Sequence, residues 1–440
     1  MSRDVFRTTK DNFVEFFKEG EEYYHTYIDV ISKAKHSIML QTYIFHMDHF
    51  GRDVHSALIE AAKRGVKVYV MVDSVGSRLL EEIATDQLKE AGVHFIRFNG
   101  ITFEFLYRWG RRLHHKILII DQELCFLGGI NIISGYDKKT GTPQLDFAVL
   151  LKGPIVDNIN TYAKSLFSKN SPKTVFFDSP RASCKFKDGV QIKLLINDWV
   201  HRRFQISKQY SYLTRSAQKE ILIINSYFFP KRSFMYQLVE AASRGIRVRL
   251  ILPKYSDWPT YILASEYLYD FFLKNGVEIY QWNLGNHHGK LAIIDDNFTT
   301  IGSFNLNYTS YQQNLEMNVN VYSQVFVSMV KTEIEELIIK NCTKLSQKDF
   351  SLNSKFKIRF LRFYYYLILS MISNFSVGLI YQEQIKKENQ IFSFLRILTS
   401  LSFFIIGLIG LILPFFPGIP VFFISFLLIY KQIIFNRKFE

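Results

Sequence analysis

The sequence predicts an α/β protein of two similar lobes followed by a C-terminal, membrane-associated helical tail. Three observations carry that prediction. A motif of His, Lys and Asp occurs twice, at His114, Lys116 and Asp121 and again at His288, Lys290 and Asp295. The strand and helix patterns upstream of the motif recur with it, which marks a duplication at the domain scale, too long in period for a solenoid. The chain then carries no charged residue between Arg396 and Lys431.

Helical spacing over 19–35 precedes a β-branched and aromatic stretch, 37–45, that reads as a strand. A helix over 51–64 turns at Gly65 into a second strand at 66–73, and a helix at 79–90 and a strand at 93–98 continue the alternation of an α/β layer. The second half answers the first. Glu240-Ala241-Ala242-Ser243-Arg244-Gly245-Ile246 repeats Glu60-Ala61-Ala62-Lys63-Arg64-Gly65-Val66, and Gly276-Val277 repeats Gly92-Val93. Between the halves a stretch rich in Ser, Pro, Lys and Asp lacks periodicity. The chain therefore divides into a first lobe (1–167), a connection (168–195), a second lobe (196–345), a basic, Tyr-rich juxtamembrane segment (346–390) and a hydrophobic membrane segment (391–440). Pro414, Pro417, Gly418 and Pro420 interrupt the last, which makes it a helical hairpin or a kinked span.

A net charge of +14 suits an anionic partner, and half of it, ten Lys or Arg against three Asp or Glu, lies in 351–440 beside the apolar tail. The three cysteines, Cys125, Cys184 and Cys342, are too few and too scattered for a disulfide framework or a zinc site. No cofactor and no metal are expected, and a reducing, cytosolic environment fits best. The first residues carry no apolar run, so no secretory signal is expected.

In each copy the His and Lys are two residues apart, on one face of an extended strand whose continuation, Ile117-Leu118-Ile119-Ile120 or Leu291-Ala292-Ile293-Ile294, is apolar enough to be buried. A polar pair thus rides on the rim of a core. Two His and two Lys can cut a phosphodiester without metal: one His attacks phosphorus, the other protonates the leaving alcohol, and Lys116 and Lys290 hold the nonbridging oxygens. Asn131 and Asn305, at one offset beyond Gly128-Gly129 and Gly302-Ser303, add neutral phosphate donors. Asp146 and Glu316, each downstream of its own Asn on an apolar strand, are placed to fix the histidine tautomers. Asp121 and Asp295 complete the motif and are counted with the catalytic set, although their place at strand ends suits loop structure. His115 and His287 are unmatched between the copies and read as peripheral.

The doubled pattern His-x-Lys-x4-Asp-x6-Gly-Gly/Ser resembles the phospholipase D superfamily. The flanking stretches Gly20-Glu21-Glu22-Tyr23-Tyr24, Tyr227-Phe228-Phe229-Pro230 and Asn314-Leu315-Glu316 resemble bacterial cardiolipin synthases, over about 16–337. The resemblance implies pseudo-twofold lobes of mixed β-sheet flanked by helices. It implies transfer of a phosphatidyl group between phospholipids through a phosphohistidine, such as two phosphatidylglycerols giving cardiolipin and glycerol. Anionic phospholipids and a membrane surface are the implied partners, without nucleic acid, on the bacterial inner membrane with the lobes on its cytoplasmic side. In the family the first-copy His is the nucleophile, which assigns His114 that role and His288 the acid; the near-symmetry of the copies leaves the residues neutral on this choice. A lipid hydrolase using water as acceptor, and a nuclease of the same fold, would use the same residues, and a nuclease would not need the apolar tail.

Overall fold

The computed structural model describes residues 6–382 apart from 100–110, 135, 138–141, 173, 176, 179–183 and 353–355, together with residue 402. Two compact units are present, Met1–Ser373 and Asn374–Glu440. The expected membrane segment falls, but for Ser402, outside the described residues. Among the described residues no helix is long and apolar enough to cross a membrane.

The first half runs β1 (Thr9–Lys18), α1 (Glu21–Ser32), β2 (Ser37–Thr42), α2 (His49–Lys63), β3 (Lys67–Asp73), α3 (Glu82–Glu90), β4 (His94–Phe98), β5 (Arg112–Leu113), β6 (Lys116–Ile120), β7 (Leu124–Gly128), β8 (Tyr136–Asp137), β9 (Thr142–Pro143), β10 (Phe147–Lys152) and α4 (Pro154–Asn170). The second runs β11 (Val190–Asp198), β12 (Arg203–Phe204), α5 (Gln205–Ser216), β13 (Glu220–Asn225), α6 (Arg232–Ser243), β14 (Arg247–Tyr255), α7 (Pro259–Lys274), β15 (Glu278–Asn286), β16 (Lys290–Ile294), β17 (Phe298–Gly302), α8 (Tyr308–Gln312), β18 (Asn314–Tyr322), α9 (Gln324–Asn341), β19 (Cys342–Lys344), α10 (Gln347–Leu352) and α11 (Phe356–Gln382).

The duplication is exact in topology. The first half orders its strands β4-β3-β2-β6-β7-β10-β1, and the second β15-β14-β13-β16-β17-β18-β11. In both, the first three pair in parallel through helical crossovers and the rest pair antiparallel, a mixed sheet. β1 joins the two halves: Phe13 to Lys18 pair with β10, while Thr9 and Asn12 pair with β11. The expected connection (168–195) overlaps an element at each end. α4 extends to Asn170, and β11 starts at Val190, because Ile192, Leu194 and Ile196 alternate into the core as a strand requires.

Burial on both faces explains the continuous apolar runs. Along β6, Ile117 and Ile119 enter a core shared by both halves, while Leu118 and Ile120 face the first half's own helices. Along β16, Leu291 and Ile293 enter the shared core, and Ala292 and Ile294 face a third cluster with α5, α6 and α7. The shared core, capped by Phe167 of α4 and Val330 of α9, makes Met1–Ser373 one body.

Candidate active site

Both motif histidines stand where a strand begins, and each is tied to the opposite half. The His114 N–H donates to Leu315 O (3.0 Å), since β5 lies parallel to the start of β18, and the His288 N–H donates to Leu145 O (2.7 Å). These contacts place each ring beside the next carboxylate on the other half. His114 Nδ1 lies 2.9 Å from Glu316 Oε2, and His288 Nδ1 lies 2.6 Å from Asp146 Oδ2. The pairing is crossed: the first-half histidine is served by the second-half carboxylate, and the reverse. A carboxylate accepts, so Nδ1 carries the proton and Nε2 keeps its lone pair for substrate.

Both carboxylates are fully buried. Burial opposes their ionisation, but His114 and Lys116 for Glu316, and Lys290 and His288 for Asp146, outweigh it and hold both below the usual carboxylate range. Glu316 also accepts from Ser303 Oγ, from Ser310 Oγ (2.6 Å) and from Asn314 Nδ2 (3.0 Å). Asp146 accepts from the Phe147 N–H (2.8 Å) and lies 3.7 Å from Lys290 Nζ.

The lysine ammoniums donate to the His114 and His288 carbonyls of their own strands. Burial, then the charge of Lys290, brings Lys116 down to about 7; burial also lowers Lys290, against the pull of Asp146 and Glu316. Burial lowers His114 to about 4 despite Glu316, and burial together with the charge of Lys290 also lowers His288, against the pull of Asp146. The site is buried and brings together two lysines, two histidines and two ionised carboxylates.

Asn131 and Asn305 are buried beside it. Asn131 Oδ1 accepts from the Ile44 N–H (3.2 Å) and Asn305 Oδ1 from Ser226 Oγ (2.9 Å), which leaves their amide N–H groups as donors. Asp121 and Asp295 are set apart from the reacting groups, at the far end of five-residue strands, roughly 16 Å away at strand rise. Asp121 accepts from the N–H groups of Lys35, His36 and Ser37, and Asp295 from those of Gln218, Lys219 and Glu220. In this placement they hold the start of β2 and of β13, which suits the loop role their strand-end positions offered. His115 and His287 are buried, His115 with Nε2 2.8 Å from Gln41 Oε1. No group of side chains suited to a metal ion occurs among the described residues.

Three features escaped the sequence. Each histidine has a tyrosine at its ring edge, Tyr43 at 4.9 Å from His114 and Tyr227 at 6.1 Å from His288. Sheet register sets Gln41 opposite Ile117 and Ile224 opposite Leu291, so Tyr43 corresponds to Ser226 and Tyr227 to Ile44, and the repeat gives neither away. Ser303 closes the motif and Asn314 lies in a flanking stretch, but their convergence with Ser310 on Glu316 is not visible in the spacing. Glu19, at the end of β1, has Oε1 bonded by the Tyr24 hydroxyl (3.0 Å) and Oε2 enclosed without a partner among the described residues. Burial, then the charge of Asp146, pushes its carboxyl well above the usual range.

A family profile described as cardiolipin synthase, phospholipase D-like domain, matches residues 27–166 and 210–338. Cardiolipin synthase B of Escherichia coli (strain K12) is 32% identical over 341 residues, covering 76% of this chain and 83% of that protein. Cardiolipin synthase of Geobacillus sp. (strain WCH70) is 32% identical over 319 residues, covering 69% and 61%. The chain belongs to the cardiolipin synthase family of the phospholipase D superfamily. In fold it is similar to phosphatidylserine synthase of Haemophilus influenzae Rd KW20, at TM-score 0.65 and 15% identity, over 81% of this chain and 93% of that one.

As a member of the cardiolipin synthase family the protein is a phosphatidyltransferase, and its substrates are phospholipids. Each segment matched by the family profile contains one His-Lys-Asp motif and one of the two carboxylates. Neither segment holds a complete histidine–carboxylate pair, because the structure crosses them.

Proposed function

We propose that the protein transfers a phosphatidyl group from one phosphatidylglycerol to another, giving cardiolipin and glycerol, at the inner membrane of a bacterium with its lobes on the cytoplasmic side. The observation that supports it most is the pair of crossed histidine–carboxylate contacts around two buried lysines. Lys116, Lys290 and the amides of Asn131 and Asn305 bind the nonbridging oxygens of the donor phosphodiester. His114, neutral at pH 7, attacks phosphorus through Nε2, and the bond to the glycerol oxygen breaks as His288 gives it a proton. The phosphate's negative charge raises His288 and so favours its protonated form. In the return step His288 takes the proton of a hydroxyl on the second phosphatidylglycerol; that oxygen attacks the phosphohistidine, and His114 leaves. Glu316 stabilises the positive charge that develops on His114 in the first step.

The test is to incubate the full chain with phosphate-labelled phosphatidylglycerol and resolve the products. Cardiolipin with released glycerol is expected, lost by about 10⁴-fold in His114→Ala and His288→Ala. Acid-labile label on the quenched protein is expected for the parent and not for His114→Ala. Phosphatidic acid without cardiolipin would mean that water resolves the intermediate, and the transferase reading would fall.

A further inference from the structure

The part of α11 up to Ser373 belongs to the first unit and has two unlike faces. Arg362 Nε pairs with Glu266 at 2.8 Å, Tyr366 packs on Phe229 at 5.7 Å and on Tyr267 at 4.4 Å, and Tyr365 and Leu369 pack on the second half's own core. Phe356, Phe360, Phe363, Leu367 and Met371 are exposed by 85%, 57%, 41%, 36% and 45%. At 3.6 residues per turn these five fall within an arc of about 80°, centred away from the docked residues; Ile358, exposed by 38%, lies off this arc in the first turn, ahead of the first docked residue. Lys357 and Arg359 are exposed on the same turns. Tyr365 and Tyr366 thus hold the helix to the protein, while Phe356 and Phe360 are the most exposed of the stripe and Phe363 touches Tyr267 at 5.7 Å with part of its ring still exposed.

We propose that this outward stripe of α11 is a docking face for an anionic bilayer. The proposal rests on the phospholipid-transfer reading. Four observations favour a bilayer as occupant. The stripe is apolar at helical spacing and flanked by basic side chains, the pattern of a helix lying in an interface. The 351–440 region carries ten Lys or Arg against three Asp or Glu, complementary to anionic lipid. The chain beyond it continues into the uncharged stretch before Lys431. Finally, Phe229, on which Tyr366 rests, lies two residues from Tyr227 at the edge of His288, so the stripe and the site share one support. A protein lying on α11 would keep its recess near the headgroups it consumes.

The experiment uses the full chain with Cys184→Ser and Cys342→Ala, labelled with an environment-sensitive fluorophore at Phe360→Cys or Leu367→Cys, and at Lys340→Cys as a control. On phosphatidylglycerol vesicles the first two labels shift to the blue and the control does not. No shift at 360 or 367 overturns the proposal. So does a shift already present without vesicles, because the stripe is then covered by a second copy or by the chain's own tail. A parallel assay compares the unlabelled Phe360→Glu/Leu367→Glu chain with its parent. At least a tenfold loss on vesicle phosphatidylglycerol is expected, with turnover of short-chain, monomeric phosphatidylglycerol within twofold; equal loss on both overturns the proposal. The label shift needs no turnover, so a labelled chain that docks without making cardiolipin would sink the proposed reaction and leave the docking face standing.

Discussion

A histidine at about 4 and a lysine at about 7 set the pH behaviour of the recess. The free enzyme's kcat/KM should rise as His114 loses its proton near pH 4 and fall as Lys116 loses its own near pH 7. Because Lys290 contributes to the lowering of Lys116, Lys290→Met should move the falling limb to higher pH even as the rate drops, which a pH profile of the variant checks. Stability follows the same groups. The native protein keeps His114 neutral down to about 4 and His115 and His287 to about 3, whereas the unfolded chain takes those protons near 6.5. The unfolded state therefore binds more protons below 6.5, and stability should fall steadily from pH 6.5 to about 4, as urea titrations at pH 7 and pH 5 would record. Glu19 has the opposite sign: its native carboxyl keeps its proton, so the unfolded chain gains by ionising above the ordinary carboxylate range. Glu19→Gln should stabilise at pH 7 and do nothing at pH 3. Glu316→Gln and Asp146→Asn should lower kcat by about 10²- to 10⁴-fold, since the amide no longer fixes the tautomer or meets the imidazolium charge.

The motif's last letters are structural devices of the strand ends. Asp121 and Asp295 adopt φ of 52°, a conformation aspartate tolerates, and each gathers the N–H groups of a neighbouring strand start. Asp121→Ala should cost about 2 kcal/mol of stability and leave kcat of the folded protein unchanged, separating a holding role from a chemical one. The Gly-Gly and Gly-Ser variants of the motif also have physical meanings. A Cβ on Gly129 would lie 2.2 Å from Asp146 Oδ1, whereas Ser303 at the matching position donates to Glu316. Gly129→Ala should therefore push Asp146 off His288 and lower kcat by about 10²-fold with little loss of fold, as kinetics and circular dichroism would show. Much of this level was legible in advance. The apolar runs of β6 and β16 and the helix-to-strand turns at Gly65 and Gly245 announce their elements, since periodicity and turn chemistry are local. β1 escaped because Thr9–Lys18 borders on exposed, mixed residues whose strand form depends on two partners far along the chain. The crossed pairing escaped for the same reason: it depends on β5 lying against β18, a register that no local pattern encodes.

At the scale of the whole molecule, β1, β5 and the shared core hold two topologically equivalent halves as one body. Lys185 and Lys187, exposed just before β11, are accessible to trypsin. A chain cut there should remain together on gel filtration and keep its activity, because backbone pairing and core contacts, not the connecting segment, join the halves; separation of the pieces in native buffer would contradict this. The presence of two lobes was legible from the repeat, but their interdependence was not, since a repeated motif looks self-sufficient in sequence. The crossing also sets a rule of inheritance. Each histidine and the carboxylate that serves it stand 202 or 142 positions apart, on opposite sides of the natural exchange point. A recombination that replaces one lobe by a relative's gives both histidines a foreign partner at once. Descent of this protein therefore passes through matched halves, and a substitution at Asp146 is answered, if at all, around His288.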